Sequence, residues 1–132
     1  MAYHLLVASP ERTLFDGEVS SLILRSTSGD IAFLTGHVPI VTAVLPGEAR
    51  ITAGDGQTVR LAVHGGFVEM SSHGARLLVP VAERAEEIDV ERARAAAARF
   101  AEATEAQAEE YAALVRARVR LSVAGQDLSQ AH

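Results

Sequence analysis

The amino-acid sequence contains no cysteine, no lysine and no tryptophan. Without cysteine, the chain forms no disulfide, holds no thiolate-bound metal and has no cysteine nucleophile. This absence fits a reducing compartment. The formal net charge of −5 at pH 7 disfavours nucleic acid as the main partner, because nucleic-acid-binding domains carry basic patches.

The absence of lysine makes all twelve cationic side chains arginine. Two explanations are open. A GC-rich genome favours arginine and alanine codons without regard to function. Alternatively, the protein recognises an anion, because guanidinium binds carboxylates and phosphates with two parallel hydrogen bonds whereas an ammonium group does not. The positions of particular arginines must decide between them.

The sequence also lacks a long apolar run. The most apolar stretch, Ile31 to Leu45, is interrupted by Gly36, His37 and Pro39 and is too short to cross a bilayer. The first residues, Met1 to His4, have no basic region of the kind that opens a secretory signal. We therefore expect no direct membrane insertion, and any membrane association must come through a partner.

The first 81 residues consist of short apolar segments separated by turn residues, without intervening helical patterns. Strands at this spacing predict an antiparallel β-sandwich or barrel. The sequence Gly54-Asp55-Gly56 is a strong hairpin signal, because glycine and aspartate tolerate positive φ. The predicted strands are Tyr3–Ala8, Glu18–Arg25, Ile31–Leu34, Val38–Val44, Glu48–Ala53, Val59–Val63, Phe67–Met70 and Arg76–Val81.

Few residues in this half could carry chemistry. His37, His64 and His73 with Glu69 form the one candidate metal set, which would suggest a small β-sandwich metalloenzyme. However, no two histidines have the i, i+2 spacing that places both imidazoles on one face of a strand. Each histidine is therefore predicted to be a surface or turn residue with local hydrogen bonds. The sequence has no nucleophile-elbow or phosphate-loop motif.

From Asp89 onward the sequence is rich in alanine and charged residues, with no glycine or proline before Gly125. Asp89 is the predicted N-cap of a helix, because its carboxylate can accept hydrogen bonds from unpaired backbone N–H groups. The arm could be one helix of roughly 35 residues, about 50 Å long. It could equally be two helices folded back on each other, with Thr104 capping the second.

Four arginines distinguish these alternatives in part. Arg92 and Arg99 share one helix face, and Arg116 and Arg120 share another. If the arm folds near residues 104–107, Arg92 comes level with Arg120 and Arg99 with about 111–116. If those two faces meet, four guanidinium groups converge, which is repulsive unless an anion or carboxylates such as Glu83 and Asp89 lie among them. If the two faces do not meet, their arginines point to solvent.

Seven motifs in this order resemble the epsilon subunit of bacterial F-type ATP synthase over nearly the whole chain. They are Val7-Ala8-Ser9-Pro10-Glu11, Phe15-Asp16-Gly17-Glu18-Val19, Gly29-Asp30-Ile31-Ala32-Phe33-Leu34, Gly36-His37-Val38-Pro39, Gly65-Gly66-Phe67-Val68-Glu69, Ala82-Glu83-Arg84-Ala85-Glu86-Glu87-Ile88-Asp89 and Arg120-Leu121-Ser122-Val123-Ala124. The combination is specific, although no single motif is.

The resemblance implies a non-catalytic subunit at the cytoplasmic face of the bacterial plasma membrane. It implies an N-terminal β-sandwich bound to the gamma subunit and the c-ring, followed by a two-helix arm. In this family the arm moves between a compact hairpin and an extended form that reaches the hexamer of alpha and beta subunits and restrains ATP hydrolysis. The loops predicted to face the ring and stalk contain Ser28, Gly29, Asp30, Gly36, His37 and Val38.

Some bacterial members of this family bind ATP at the hairpin, and the resemblance extends to that motif. It stands here as Ile88-Asp89-Val90-Glu91-Arg92-Ala93. The implied ATP ligands are Glu83, Ile88, Asp89, Arg92, Ala93, Arg99, Arg116 and Arg120. The segment between the helices is several residues shorter than in ATP-binding relatives, which could shift the second helix out of register. No cofactor is required; ATP would be a regulatory ligand.

The predicted organisation therefore has four parts. They are a β-sandwich domain over residues 1–84, a hinge over 85–88, a helical regulatory domain over 89–124 and a flexible tail over 125–132. The alternative functions are a β-sandwich metalloenzyme that uses the histidine set and an unrelated interaction module.

Overall fold

The computed structural model describes residues 2–34 and 39–125. Within these ranges the chain forms nine strands, a single turn of 3₁₀ helix over 85–87 and two α-helices. The strands are β1 (Tyr3–Ala8), β2 (Thr13–Ser26), β3 (Gly29–Leu34), β4 (Ile40–Val44), β5 (Gly47–Ala53), β6 (Thr58–Val63), β7 (Gly66–Ser71), β8 (Gly74–Leu78) and β9 (Ala82–Arg84). The helices are α1 (Val90–Arg99) and α2 (Ala108–Val123).

The strands form one hydrogen-bonded path in the order β4-β7-β8-β1-β2-β5-β6-β9, with β3 also paired to β2. The 14-residue β2 joins the two layers of the sandwich, because its first half pairs with β1 and its second half with β3 and β5. The register of β2 shifts between Val19 and Ser21, where the strand passes from one set of partners to the other. The predicted β-sandwich followed by a two-helix hairpin is confirmed.

Three details of the strand prediction were wrong. The second strand begins at Thr13 rather than Glu18, because Phe15, Asp16 and Gly17 pair with β1 instead of forming a turn. The three-residue strand β9 was not predicted. Finally, one pair of neighbouring strands, β1 and β8, runs parallel, whereas the other pairs of described strands are antiparallel.

The turn between β5 and β6 forms as predicted. Thr52 pairs with Thr58 across the hairpin, and Gly56 adopts a φ of 90°. The side chain of Asp55 accepts a hydrogen bond from the backbone N–H of Gln57 at 2.9 Å. Such a bond is the reason aspartate is favoured in tight turns.

The core of the sandwich lies between the two layers and is built from apolar side chains that alternate along the strands. Its largest fully buried members are Phe33, Leu5, Leu22, Leu24, Ile51, Leu61 and Leu77. A second, smaller core lies between α1 and α2 and consists of Ala93, Ala97, Leu114, Ala117 and Leu121. Since alanine buries little area, Leu114 and Leu121 supply most of its apolar stabilisation, about 1.5–3 kcal/mol each.

The arm is a hairpin of two helices, which settles the question that the sequence left open. Asp89 caps α1 as predicted, with its carboxylate accepting the backbone N–H of Arg92 at 3.1 Å. The predicted cap of the second helix was wrong. Gln107 is the N-cap of α2, and its side-chain oxygen turns back to accept the backbone N–H of Thr104 at 3.2 Å.

The hairpin docks on the sandwich through α2, which lies against β6 and β5. The apolar part of this contact is one small cluster of Ala62, Ile88 and Val123, with Val119 and Val90 packed beside it. This contact is much smaller than the core of the sandwich. We therefore expect the arm to detach from the sandwich more easily than the sandwich itself unfolds.

Candidate functional site

A cavity of about 410 Å³ lies where the two helices meet the end of the sandwich. Its wall contains three alanines, three acidic residues that precede the first helix and three arginines from the two helices. Because alanine has no side chain beyond Cβ, the helices leave space between them at this point. The lining residues are Glu83, Glu87, Asp89, Arg92, Ala93, Ala96, Ala113, Arg116 and Arg120.

Six of the eight residues that the sequence predicts as ATP ligands line this cavity. Arg92 and Ala93 come from the first turn of α1, and Arg116 and Arg120 come from successive turns of one face of α2. The short connection between the helices has therefore not moved Arg116 and Arg120 away from Arg92. The six are Glu83, Asp89, Arg92, Ala93, Arg116 and Arg120.

The other two predicted ligands lie elsewhere. Ile88 does not line the cavity and is buried in the small cluster with Ala62 and Val123. Arg99, at the end of α1, lies in a neighbouring cavity with Phe100, and its Cζ is 5.0 Å from the centre of the Phe100 ring. Arg116 lines both cavities, so it is the side chain that connects them.

The main cavity is lined by three acidic residues and three arginines, but not every arginine has an acidic partner. Glu83 accepts a hydrogen bond from Nε of Arg120, with 2.5 Å between the two atoms. Glu87 lies in the 3₁₀ turn before α1 and forms an ion pair with Arg12. By contrast, the guanidinium groups of Arg92 and Arg116 form no hydrogen bond or ion pair with any residue of the ranges 2–34 and 39–125. Two unpaired cations on facing helices are an arrangement suited to an anion.

His64 does not line the cavity but contacts Glu83 of its wall, which the sequence did not predict. Its side chain is only 4% exposed, and its Nε2 lies 3.3 Å from Oε1 of Glu83, the same oxygen that Arg120 contacts. Burial lowers the pKa of His64 more than the hydrogen bond to Glu83 raises it, and the charges of Arg120 and Arg116 lower it further. His64 does lie in the short connection between β6 and β7, as predicted for a turn residue, but its side chain is buried rather than at the surface. The uninterrupted apolar run Leu61-Ala62-Val63 before it was the available signal of a strand buried on both faces.

The segment predicted to be a hinge, residues 85–88, is anchored to the sandwich by a second network that the sequence did not predict. Nη1 and Nη2 of Arg12 each lie 2.8 Å from one oxygen of Glu87. The backbone N–H of Arg84 also donates to Glu87, at 2.9 Å. The bond to Arg12 and then the bond from Arg84 lower the pKa of Glu87 to about 2. The 3₁₀ turn is therefore tied to the β1–β2 loop.

The predicted partner-facing loops are described in part. Ser28 lies in the turn between β2 and β3, and Gly29 and Asp30 are the first two residues of β3; all three are exposed, and Gly29 adopts a φ of 101°. The hydroxyl of Ser26 accepts the backbone N–H of Ser28 at 3.1 Å and fixes this turn. Gly36, His37 and Val38 lie outside the described residues.

The outer face of β4, β7 and β8 exposes an apolar surface. Val41, Phe67 and Leu78 are 66%, 62% and 48% exposed, and Phe67 pairs directly with Leu78 and with Ala43. We call Val41, Ala43, Phe67 and Leu78 the apolar face. Exposed apolar residues on adjacent strands are typical of a surface that another protein covers.

The candidate metal set receives no support within the described part of the chain. No group of three or more histidine, aspartate and glutamate residues is arranged to hold a metal ion there. His64 contacts Glu83, and His73 lies in the β7–β8 turn beside the hydroxyl of Ser72. In the same ranges, no helix is both long and apolar enough to span a bilayer.

Comparison with known proteins identifies the family. Residues 2–85 match the family described as ATP synthase, Delta/Epsilon chain, beta-sandwich domain. The chain belongs to the ATP synthase epsilon chains. It is 40% identical over 121 residues to the ATP synthase epsilon chain of Thermobifida fusca, covering 89% of this chain and 88% of that one. It is 36% identical over 133 residues to that of Synechococcus elongatus, covering 95% and 96%.

The solved structures share the fold of this epsilon chain. A chain in the cryo-EM structure of Euglena gracilis mitochondrial ATP synthase, containing OSCP, F1 and the c-ring, superposes with a TM-score of 0.81 at 21% identity. The match covers 95% of this chain and 82% of that chain, so it includes the helical hairpin as well as the sandwich.

Proposed function

We propose that this epsilon chain is a non-catalytic central-stalk subunit of a bacterial proton-translocating ATP synthase. In this proposal the sandwich binds the gamma subunit and the c-ring at the cytoplasmic face of the plasma membrane. The helical hairpin is a movable arm that inhibits ATP hydrolysis when it extends towards the hexamer of alpha and beta subunits. Family membership supports the assignment, and the small contact between arm and sandwich supports the movement.

We further propose that ATP binds the cavity and favours the compact hairpin. The observation that carries this proposal is that Arg92 and Arg116, on different helices, line one cavity without an ion-pair partner in the described residues. A polyphosphate between them forms charge-assisted hydrogen bonds to both helices. Because those bonds exist only while α1 and α2 lie side by side, the ligand stabilises the hairpin by mass action.

Calorimetric titration of ATP into the full chain tests this ligand, with ADP as the comparison. We expect saturable one-to-one binding that Arg92→Ala abolishes. Arg94→Ala is the matched control, because this substitution removes the same charge from the same helix. Arg94 does not line the cavity and forms an ion pair with Glu91 at 3.0 Å. No binding up to millimolar ATP, or equal loss in both variants, would refute the ATP site. The epsilon-chain assignment would stand.

The apolar face is the surface that we assign to the gamma subunit. Covering Phe67 and Leu78 removes apolar side chains from water, which is the main favourable term in most protein association. We expect Phe67→Asp to reduce copurification of the gamma subunit by at least tenfold. Gln57→Asp, which adds the same charge in the exposed β5–β6 turn, is the control. Unchanged copurification of Phe67→Asp with correct folding would place the interface elsewhere.

A further inference from the structure

His64 belongs to the sandwich, but its surroundings belong partly to the arm. It follows β6, and its backbone N–H donates to the carbonyl of Val81 at 3.4 Å. Glu83 lies on β9, which is paired with β6 through Ala62 and Glu83. The charged groups that act on the imidazole from the other side are Arg116 and Arg120, and both lie on α2.

The docked arm disfavours a positive charge on His64. The imidazole is almost completely buried, and its Nδ1 has no hydrogen-bond partner among residues 2–34 and 39–125. Protonation would place an N–H donor at that unpartnered position and a charge near two guanidinium groups. Glu83 opposes this effect, but it shares its Oε1 with Arg120 and is therefore already partly neutralised.

Release of the arm reverses these conditions. Glu83 stays beside His64, because both belong to the paired strands of the sandwich. Arg116 and Arg120 leave with α2, and water reaches the ring. An imidazole in water beside a carboxylate binds a proton more tightly than a buried imidazole beside two cations. Proton binding and arm release are therefore thermodynamically linked.

We propose that His64 and Glu83 form an acid-sensitive contact that holds α2 on the sandwich, so that protonation of His64 releases the helical arm. The proposal rests on the movable arm proposed above and adds its regulation by pH. The docked state has the lowered pKa, so docking is strongest above the ordinary imidazole pKa of 6.5 and weakens as pH falls below it. In that window the ratio of released to docked arm rises by up to about tenfold per pH unit.

The absence of cysteine permits a direct test on the full chain. Gln57 in the sandwich and Glu105 at the tip of the hairpin are both exposed. The double variant Gln57→Cys and Glu105→Cys therefore accepts a pair of distance labels. We expect a longer label distance at pH 5.5 than at pH 8. The midpoint should coincide with the titration of the His64 imidazole followed by NMR.

Two histidine variants separate this mechanism from general acid effects. His64→Gln keeps an amide donor for Glu83 but does not titrate, so its arm should stay docked at pH 5.5. His73→Gln is the matched control, because His73 is exposed in the β7–β8 turn. It should keep the acid response. If His64→Gln releases its arm in acid as the parent chain does, the inference is wrong.

A third variant separates failure of this inference from failure of the proposed function. Arg120→Glu places two carboxylates together at the same contact and should release the arm at pH 8. If Arg120→Glu releases the arm but acid does not release the parent arm, His64 is not the sensor and the movable arm stands. If neither condition changes the label distance, both proposals are refuted.

Discussion

Glu83 and Arg120 connect the last strand of the sandwich to the second helix of the arm, with 2.5 Å between Oε1 and Nε. Both side chains are about three-quarters buried, with exposed fractions of 24% and 28%. This ion pair is therefore screened less than a surface pair, and loss of one partner leaves the other charge poorly solvated. The pair lies beside the small apolar cluster of Ala62, Ile88 and Val123, and together they hold α2 in place.

We expect Arg120→Gln to loosen α2 without unfolding the sandwich. Removing the charged partner of Glu83 costs about 1–2 kcal/mol, which raises amide hydrogen exchange in α2 about 5- to 30-fold. Arg76→Gln is the control, because Arg76 forms an exposed pair with Glu69 at 3.2 Å within the sandwich. Equal exchange in α2 for both variants would show that the Glu83–Arg120 pair does not secure the arm.

Arg92 and Arg99 should contribute unequally to anion binding. They share a helix face but are seven residues apart, about 10 Å along the axis at 1.5 Å per residue. Arg92 lines the main cavity, whereas Arg99 lies over Phe100 in the neighbouring one. We expect Arg92→Ala to lower ATP affinity at least tenfold more than Arg99→Ala, measured by calorimetry. Equal losses would mean that the ligand spans both cavities through Arg116.

The ion pair between Arg12 and Glu87 should make a small, acid-sensitive contribution to stability. The pKa of Glu87 is about 2 in the folded chain, below its ordinary value of 4.5. The contribution is therefore complete above pH 4.5 and is lost as pH falls towards 2. It is small because the Glu87 side chain is 38% exposed. NMR titration of Glu87 should give a midpoint near 2 that Arg12→Gln moves towards 4.5. An unchanged midpoint in Arg12→Gln would assign the shift to the backbone N–H of Arg84.

Local sequence signals predicted those parts of the fold that depend on local chemistry. The Gly54–Gly56 turn and the Asp89 cap follow from the φ values and hydrogen bonds that glycine and aspartate permit. The convergence of Arg92, Arg116 and Arg120 followed from helical periodicity once a turn near residues 104–107 was assumed. These inferences needed no knowledge of distant contacts.

Contacts between distant segments set the features that the sequence did not predict. Ala82–Arg84 has no intrinsic strand signal and becomes β9 because it pairs with β6. The buried surroundings of His64 are completed by Glu83 and α2, which are far away in the sequence. Arg99 shares the helix face of Arg92, but the rise of α1 and the position of Phe100 place it in another cavity. Helical periodicity predicts which residues share one face of a helix, but it does not predict where along the helix a neighbouring element packs.

Close packing of α1 against α2 should control the proposed ATP site from a distance. Ala97 is fully buried against Leu114 and Ala117, so a larger side chain must push the helices apart. We expect Ala97→Leu to destabilise the hairpin by about 1–3 kcal/mol. ATP affinity should fall although no residue of the cavity has changed. Hydrogen exchange over the two helices and calorimetry measure the two effects.

Ala98→Leu is the matched control for this prediction, because Ala98 is the next residue of the same helix and is exposed. Leucine and alanine both favour helix, so this variant should keep the hairpin and its ligand affinity. If Ala97→Leu and Ala98→Leu bind ATP equally well, the ligand does not require the two helices at their present separation. The anion would then be held by one helix alone, and its binding could not favour the compact arm.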